Sequence, residues 1–87
     1  MNFKLNKSLF DILNNIPDVI DYLKDINEDN GSVTFIINQN DVEEVQLLIN
    51  DEIVLHGMDK QELVNDLGIK LYKLYDEILY QKKNNKK

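Results

Sequence analysis

Apolar residues recur early in the chain at Leu9, Ile12, Leu13, Ile16, Ile20 and Leu23, in the three- and four-residue steps of an amphipathic helix. Ser8 precedes the run and Asp11 follows it by three, the spacing of an N-cap with an acidic third residue. Pro17 interrupts the stripe, because its ring removes a backbone donor and crowds the carbonyl of Leu13. The pattern therefore predicts a helix over 8–15, kinked at Pro17 into a second over 17–26, with residues 1–7 fraying. Asn27 to Gly31 reads as a turn. From Ser32 the period changes to two, with Val33, Phe35 and Ile37 on one face of a strand over 32–38. Val45, Leu47 and Ile49 continue the alternation over 42–50, and Ile53 to Met58 supplies a third strand after the polar Asn50-Asp51-Glu52. A three-residue loop there pairs Ile49 with Ile53 and Leu47 with Leu55, which keeps apolar residues on one face. Asp59 and Glu62 then cap a long helix over 60–82, with Leu63, Val64, Leu67, Leu71, Leu74, Tyr75 and Ile78 as its stripe, and residues 81–87 fray. The predicted fold class is α+β: an N-terminal helix kinked at Pro17, a three-stranded antiparallel β-meander and a long C-terminal helix. Phe35 and Leu71 belong to its core.

At 87 residues the chain has room for one core, so residues 1–87 form a single domain. It contains no Cys, which excludes a disulfide framework, a thiolate nucleophile and a zinc–thiolate site. It also contains no Arg, Ala or Trp, while Asn occurs twelve times, a usage expected of AT-rich coding in low-GC bacteria and their phages. Without Arg, the bidentate fork favoured at phosphate and carboxylate sites is missing. No apolar run approaches the ~18 residues of a membrane span, and the start lacks the apolar stretch of a signal peptide, so a cytoplasmic location is expected.

Charge changes the picture most. Between Asp18 and Asp66 lie thirteen carboxylates against Lys24 and Lys60, a net of −11, while residues 67–87 sum to +4. A field of that sign repels nucleic acid and membrane phosphate and attracts basic protein surfaces. Asp41, Glu43, Glu44, Asp51 and Glu52 are the carboxylates expected to meet such a partner. Tyr72 and Tyr75, on a second stripe of the C-terminal helix, are candidate contacts because Tyr tolerates half-burial.

Residue chemistry of other kinds is thin. Asp25, Asn27 and Asp29 match the first three ligand positions of a calcium loop, but Asn30 stands where its Gly belongs and Ile36 where its Glu belongs. An acidic helix end and turn explains them better. His56 is the only histidine, placed on a strand opposite Gln46, and lacks the positioned acid and nucleophile that general-base chemistry needs. No metal, cofactor or catalytic site is assigned, and an enzyme is not expected. Ile36, Leu48, Val54 and Met58 fall on the second sheet face, which one helix cannot cover while covering the first. The N-terminal helices or a second copy of the chain must cover it, the latter making a homodimer.

In length, in helix–meander–helix order and in the acidic segment from Asp41 to Asp66, the chain resembles small acidic phage-encoded anti-CRISPR proteins, notably inhibitors of Cas9. The likeness spans most of the chain and rests on architecture and charge. It implies a DNA mimic that blocks a CRISPR effector, with Asp41, Glu43, Glu44, Asp51 and Glu52 making the contacts. The basic end of the C-terminal helix departs from that pattern. An immunity protein or antitoxin against a basic toxin, or a phage or plasmid accessory domain acting as a homodimer, would carry the same charge.

Overall fold

A computed structural model describes residues 1–57 and 65–84. Its strands are β1 (Asn2–Asn6), β2 (Leu23–Asp29) and β3 (Ser32–Ile37), and its helices are α1 (Lys7–Asn14), α2 (Val42–His56) and α3 (Asp66–Asn84), with short 3-10 turns at Val19–Tyr22 and Gln39–Asp41. The sheet is antiparallel in the order β1-β3-β2, so the protein is α+β with three antiparallel strands and a long C-terminal helix.

Two of the three strands of the expected meander are not strands at all. The strands expected over 42–50 and 53–58 are one helix, α2, and Met58 lies outside the described residues. Val42, Val45, Gln46, Ile49 and Ile53 line its buried side at steps of three and four. Period two fitted the same letters because Leu47, Val54 and Leu55 stand exposed on the opposite side while the polar Gln46 is buried. No Gly or Pro occurs between Gly31 and Gly57, so nothing in the sequence forces the turn expected at Asn50-Asp51-Glu52.

The missing strands come from the N-terminal part. Residues 1–7 do not fray: Asn-Phe-Lys-Leu-Asn alternates, turning Phe3 and Leu5 into the core as β1 pairs with β3 from Asn2↔Ile36 to Asn6↔Ser32. Asn6 rather than Ser8 caps α1, accepting from the Leu9 amide at 2.8 Å. There is no second helix after Pro17. The helix ends at Asn14, Asp18 turns the chain with φ 70°, and after the 3-10 turn the segment becomes β2. What makes β2 a strand is its neighbour, since only Leu23 of its seven residues is buried. Asn30 and Gly31, at φ 53° and 80°, form the two-residue loop that joins Asp29↔Ser32 in a hairpin. Asp25 (φ 51°) and Ile26 interrupt the register between Lys24 and Asn27 as a bulge.

One sheet face carries Phe3, Leu5, Leu23, Val33, Phe35 and Ile37 against the helices, with Leu13, Ile49, Leu71, Leu74 and Ile78 among the buried side chains completing the core. Phe35 stacks on Phe3 at 5.7 Å and meets Phe10 at 5.6 Å between ring centroids. Asn65 binds the two long helices end to end. Its side chain donates to the His56 carbonyl at 3.0 Å, accepts from the Gly68 amide at 2.8 Å, and so caps α3. The cap expected at Asp59 and Glu62, the helix start at Lys60, and the stripe positions Leu63 and Val64 lie outside the described residues. At its far end α3 continues to Asn84, past the expected fraying point. Gln81 there accepts from the Lys4 amide at 2.9 Å and donates to the Lys4 carbonyl at 2.6 Å, closing the outer edge of β1.

Candidate protein-interaction surface

The fold gathers some of the expected contact residues and separates others. Asp41 leads into α2, and Glu43 and Glu44 stand in its first turn, where carboxylates are stabilised by the positive end of the helix dipole. They therefore help hold the helix as well as charge the surface. Glu43 lies 3.8 Å from the Lys82 ammonium of α3. Asp51 is exposed two turns further along α2, away from that end. Glu52 is partly buried, with its carboxylate 3.6 Å from the His56 ring. On α3, Tyr72 is exposed, whereas Tyr75 packs half-buried against the core.

The structure also brings in residues that the sequence pattern hid. Asp18 and Asp21, on the turn after Pro17, act electrostatically on the half-buried Tyr22 together with Asp41 and Glu44 at the start of α2. Removal from water, then the charges of Glu44, Asp41, Asp18 and Asp21, push the Tyr22 phenol above its ordinary value. None of these four carboxylates has a Lys or His partner within ion-pair distance among the described residues. Ile20, also exposed, lies on the same turn between Asp18 and Asp21. The signal available in the sequence was Asp18-x-x-Asp21 beside Tyr22, obscured by assigning the stretch to a helix.

By contrast, the other carboxylates near cations are used internally. Lys7 holds Glu28 at 3.1 Å and Asp11 at 3.4 Å, tying α1 to β2, and those two hydrogen-bonded carboxylates raise its pKa. His56 is not on a strand opposite Gln46 but in the last turn of α2, facing solvent beside Glu52. Asp25, Asn27 and Asp29 run along β2, and among the described residues no three His, Asp or Glu side chains are grouped to hold a metal. The surface expected from Ile36, Leu48, Val54 and Met58 does not exist as one face. Ile36 is on the sheet, while Leu48 and Val54 are on α2. The outer sheet face instead bears a shallow depression of about 330 Å³, bordered by Asn2, Lys4, Asp25, Thr34, Ile36 and Gln81.

Among the described residues no helix is long and apolar enough to cross a membrane. Comparison of the chain with family models, with curated proteins and with solved structures gives no match.

Proposed function

We propose that this protein is a small acidic binding protein, without catalytic activity of its own, that occupies a basic nucleic-acid-handling surface on another protein. The observation that supports this most is the group of four carboxylates around Tyr22, which share one region of surface without an ion-pair partner among the described residues. Like charges crowded in this way repel, and a surface of Lys and Arg would relieve the repulsion while speeding the encounter. Ile20 and Tyr22 give the acidic patch an apolar centre, the arrangement in which a few buried side chains carry affinity and the charged rim steers. The proposal includes the inhibitor of a CRISPR effector as its most specific form, acting in the cytoplasm where such an effector works. The contacts then shift from Asp51 and Glu52 towards Asp18, Asp21, Asp41 and Glu44.

Affinity capture from a lysate of the source cell tests the proposal, with wild type compared against a variant carrying Asp18→Asn, Asp21→Asn, Asp41→Asn and Glu44→Gln. Wild type should retain a basic nucleic-acid-handling protein identified by mass spectrometry, and the variant should lose it. Its association rate should fall steeply as salt rises. Capture of the same proteins by both would remove the acidic patch from the function. Recovery of a basic toxin would make the protein an immunity protein.

A further inference from the structure

The outward faces of α2 and α3 are complementary to each other in a way the monomer does not use. On α2, Leu47, Val54 and Leu55 are exposed at 56%, 62% and 71%, interleaved with Glu43, Glu44 and Asp51, and the helix contains no lysine. On α3, Ile69, Tyr72, Lys73, Asp76, Tyr80 and Lys83 follow one another at steps of one, three and four, a continuous exposed stripe of three apolar residues with two lysines and one aspartate among them. Ile69, Tyr72 and Tyr80 are exposed at 47%, 42% and 64%. One face is apolar and acidic; the other is apolar and largely basic.

The two helices also lie in a fixed antiparallel register. Lys82 reaches Gln46 at 3.4 Å and Glu43 at 3.8 Å at one end, while Gly57 comes close to Gly68 at the other. The acidic start of α2 is therefore level with the lysine-bearing end of α3. A two-fold axis parallel to the helices keeps those ends level and swaps the helices across the interface. It lays each α2 along the other copy's α3, giving both complementary contacts at once, as an isologous interface requires. A two-fold axis across the helices would instead set α2 on α2, acid against acid.

We propose that two copies of this chain pair through the outward faces of α2 and α3, with each acidic α2 laid antiparallel along the lysine-bearing α3 of the second copy. Glu43 and Glu44 then approach Lys83 of the second copy, Leu47 its Tyr80, Val54 its Tyr72 and Leu55 its Ile69, while Asp51 falls between its Lys73 and Asp76. The apolar side chains leave water, and the charges select this pairing over the alternative. The basic end of α3, which a surface built only to imitate phosphate does not need, gains a task. Of the four carboxylates around Tyr22 the interface takes only Glu44, so a dimer leaves Asp18, Asp21 and Asp41 open, and the lysine variant of α3, which touches none of the four, tests pairing without disturbing that patch.

Charge exchange tests this directly on purified protein. Wild type should sediment as a dimer. A variant with Glu43→Lys and Glu44→Lys sets lysine against Lys83, and a variant with Lys73→Glu and Lys83→Glu sets carboxylate against carboxylate. Each should dimerise at least about 10-fold more weakly, with its circular dichroism retained. Mixed in equal amounts, the two should form a heterodimer visible by native mass spectrometry, because every exchanged helix then meets its complement. A monomeric wild type, two variants that dimerise as tightly as wild type, or a mixture that stays monomeric would overturn the proposal. Should either variant lose its fold, Leu47→Lys and Val54→Lys, each read by sedimentation, replace it with the same expectation of weakened pairing.

Discussion

At the scale of single residues, the core is decided by shape and the acidic patch by protonation. Phe35 is almost fully enclosed and contacts two other rings, so Phe35→Ala should cost about 3–5 kcal/mol in urea denaturation, with Leu71→Ala at about 2–5 kcal/mol. Both positions were legible because period two around Phe35 and period 3.6 around Leu71 have no competing fit. Gln46 was not legible. A buried amide at a core position of α2 reads as a solvent position in any pattern of apolar and polar letters. Tyr22 offers a second test. Its phenol should titrate above the ordinary value near 10, assigned by the difference between wild type and Tyr22→Phe in ultraviolet absorbance. The folded protein holds that proton at a pH where the unfolded chain has released it, so stability from this group declines as pH rises above the unfolded value. Glu44→Gln should lower the titration midpoint; an unchanged midpoint would mean that Glu44 does not share the field around Tyr22.

At the scale of elements, the structure departs from the pattern wherever an element is defined by what it touches. β3 and α3 announce themselves, since each buries one face along its whole length. β2 buries one residue of seven and is a strand because β3 lies beside it, a fact no local window contains. The Asn30-Gly31 pair was the readable sign of that hairpin, and the helix assigned before it concealed it. β1 is short, and its two buried residues were too few to outweigh its place near the end of the sequence. Two substitutions probe how the elements are joined. A methyl group at Gly57 would sit 2.7 Å from the Ile53 carbonyl oxygen and 3.0 Å from the Gly68 Cα, so Gly57→Ala should destabilise by roughly 1–3 kcal/mol in denaturant melts. Gln81→Ala removes both hydrogen bonds to Lys4, and the Lys4 amide should then exchange with solvent markedly faster. Exchange unchanged at Lys4 would show that water or another side chain closes that edge equally well.

At the scale of the whole molecule, a net charge of −6 is distributed unevenly, with carboxylates crowded around Tyr22 and along α2, and lysines on α3. Screening relieves such crowding, so the melting temperature should rise as sodium chloride is added from low to physiological concentration. A fall would mean that the surface pairs at Lys7 and Lys82 outweigh the repulsion. The clamp of Gln81 on Lys4 has a further consequence, one of timing. A ribosome releases β1 before β3, which becomes available to pair with it once Ile37 has emerged, yet Gln81, which seals the outer side of β1, is made well after both. At roughly 5–20 residues per second, the interval from Ile37 to Gln81 lasts about 2–9 s. During those seconds the nascent chain carries a strand edge open to any neighbouring chain, and the final turns of α3 end that exposure.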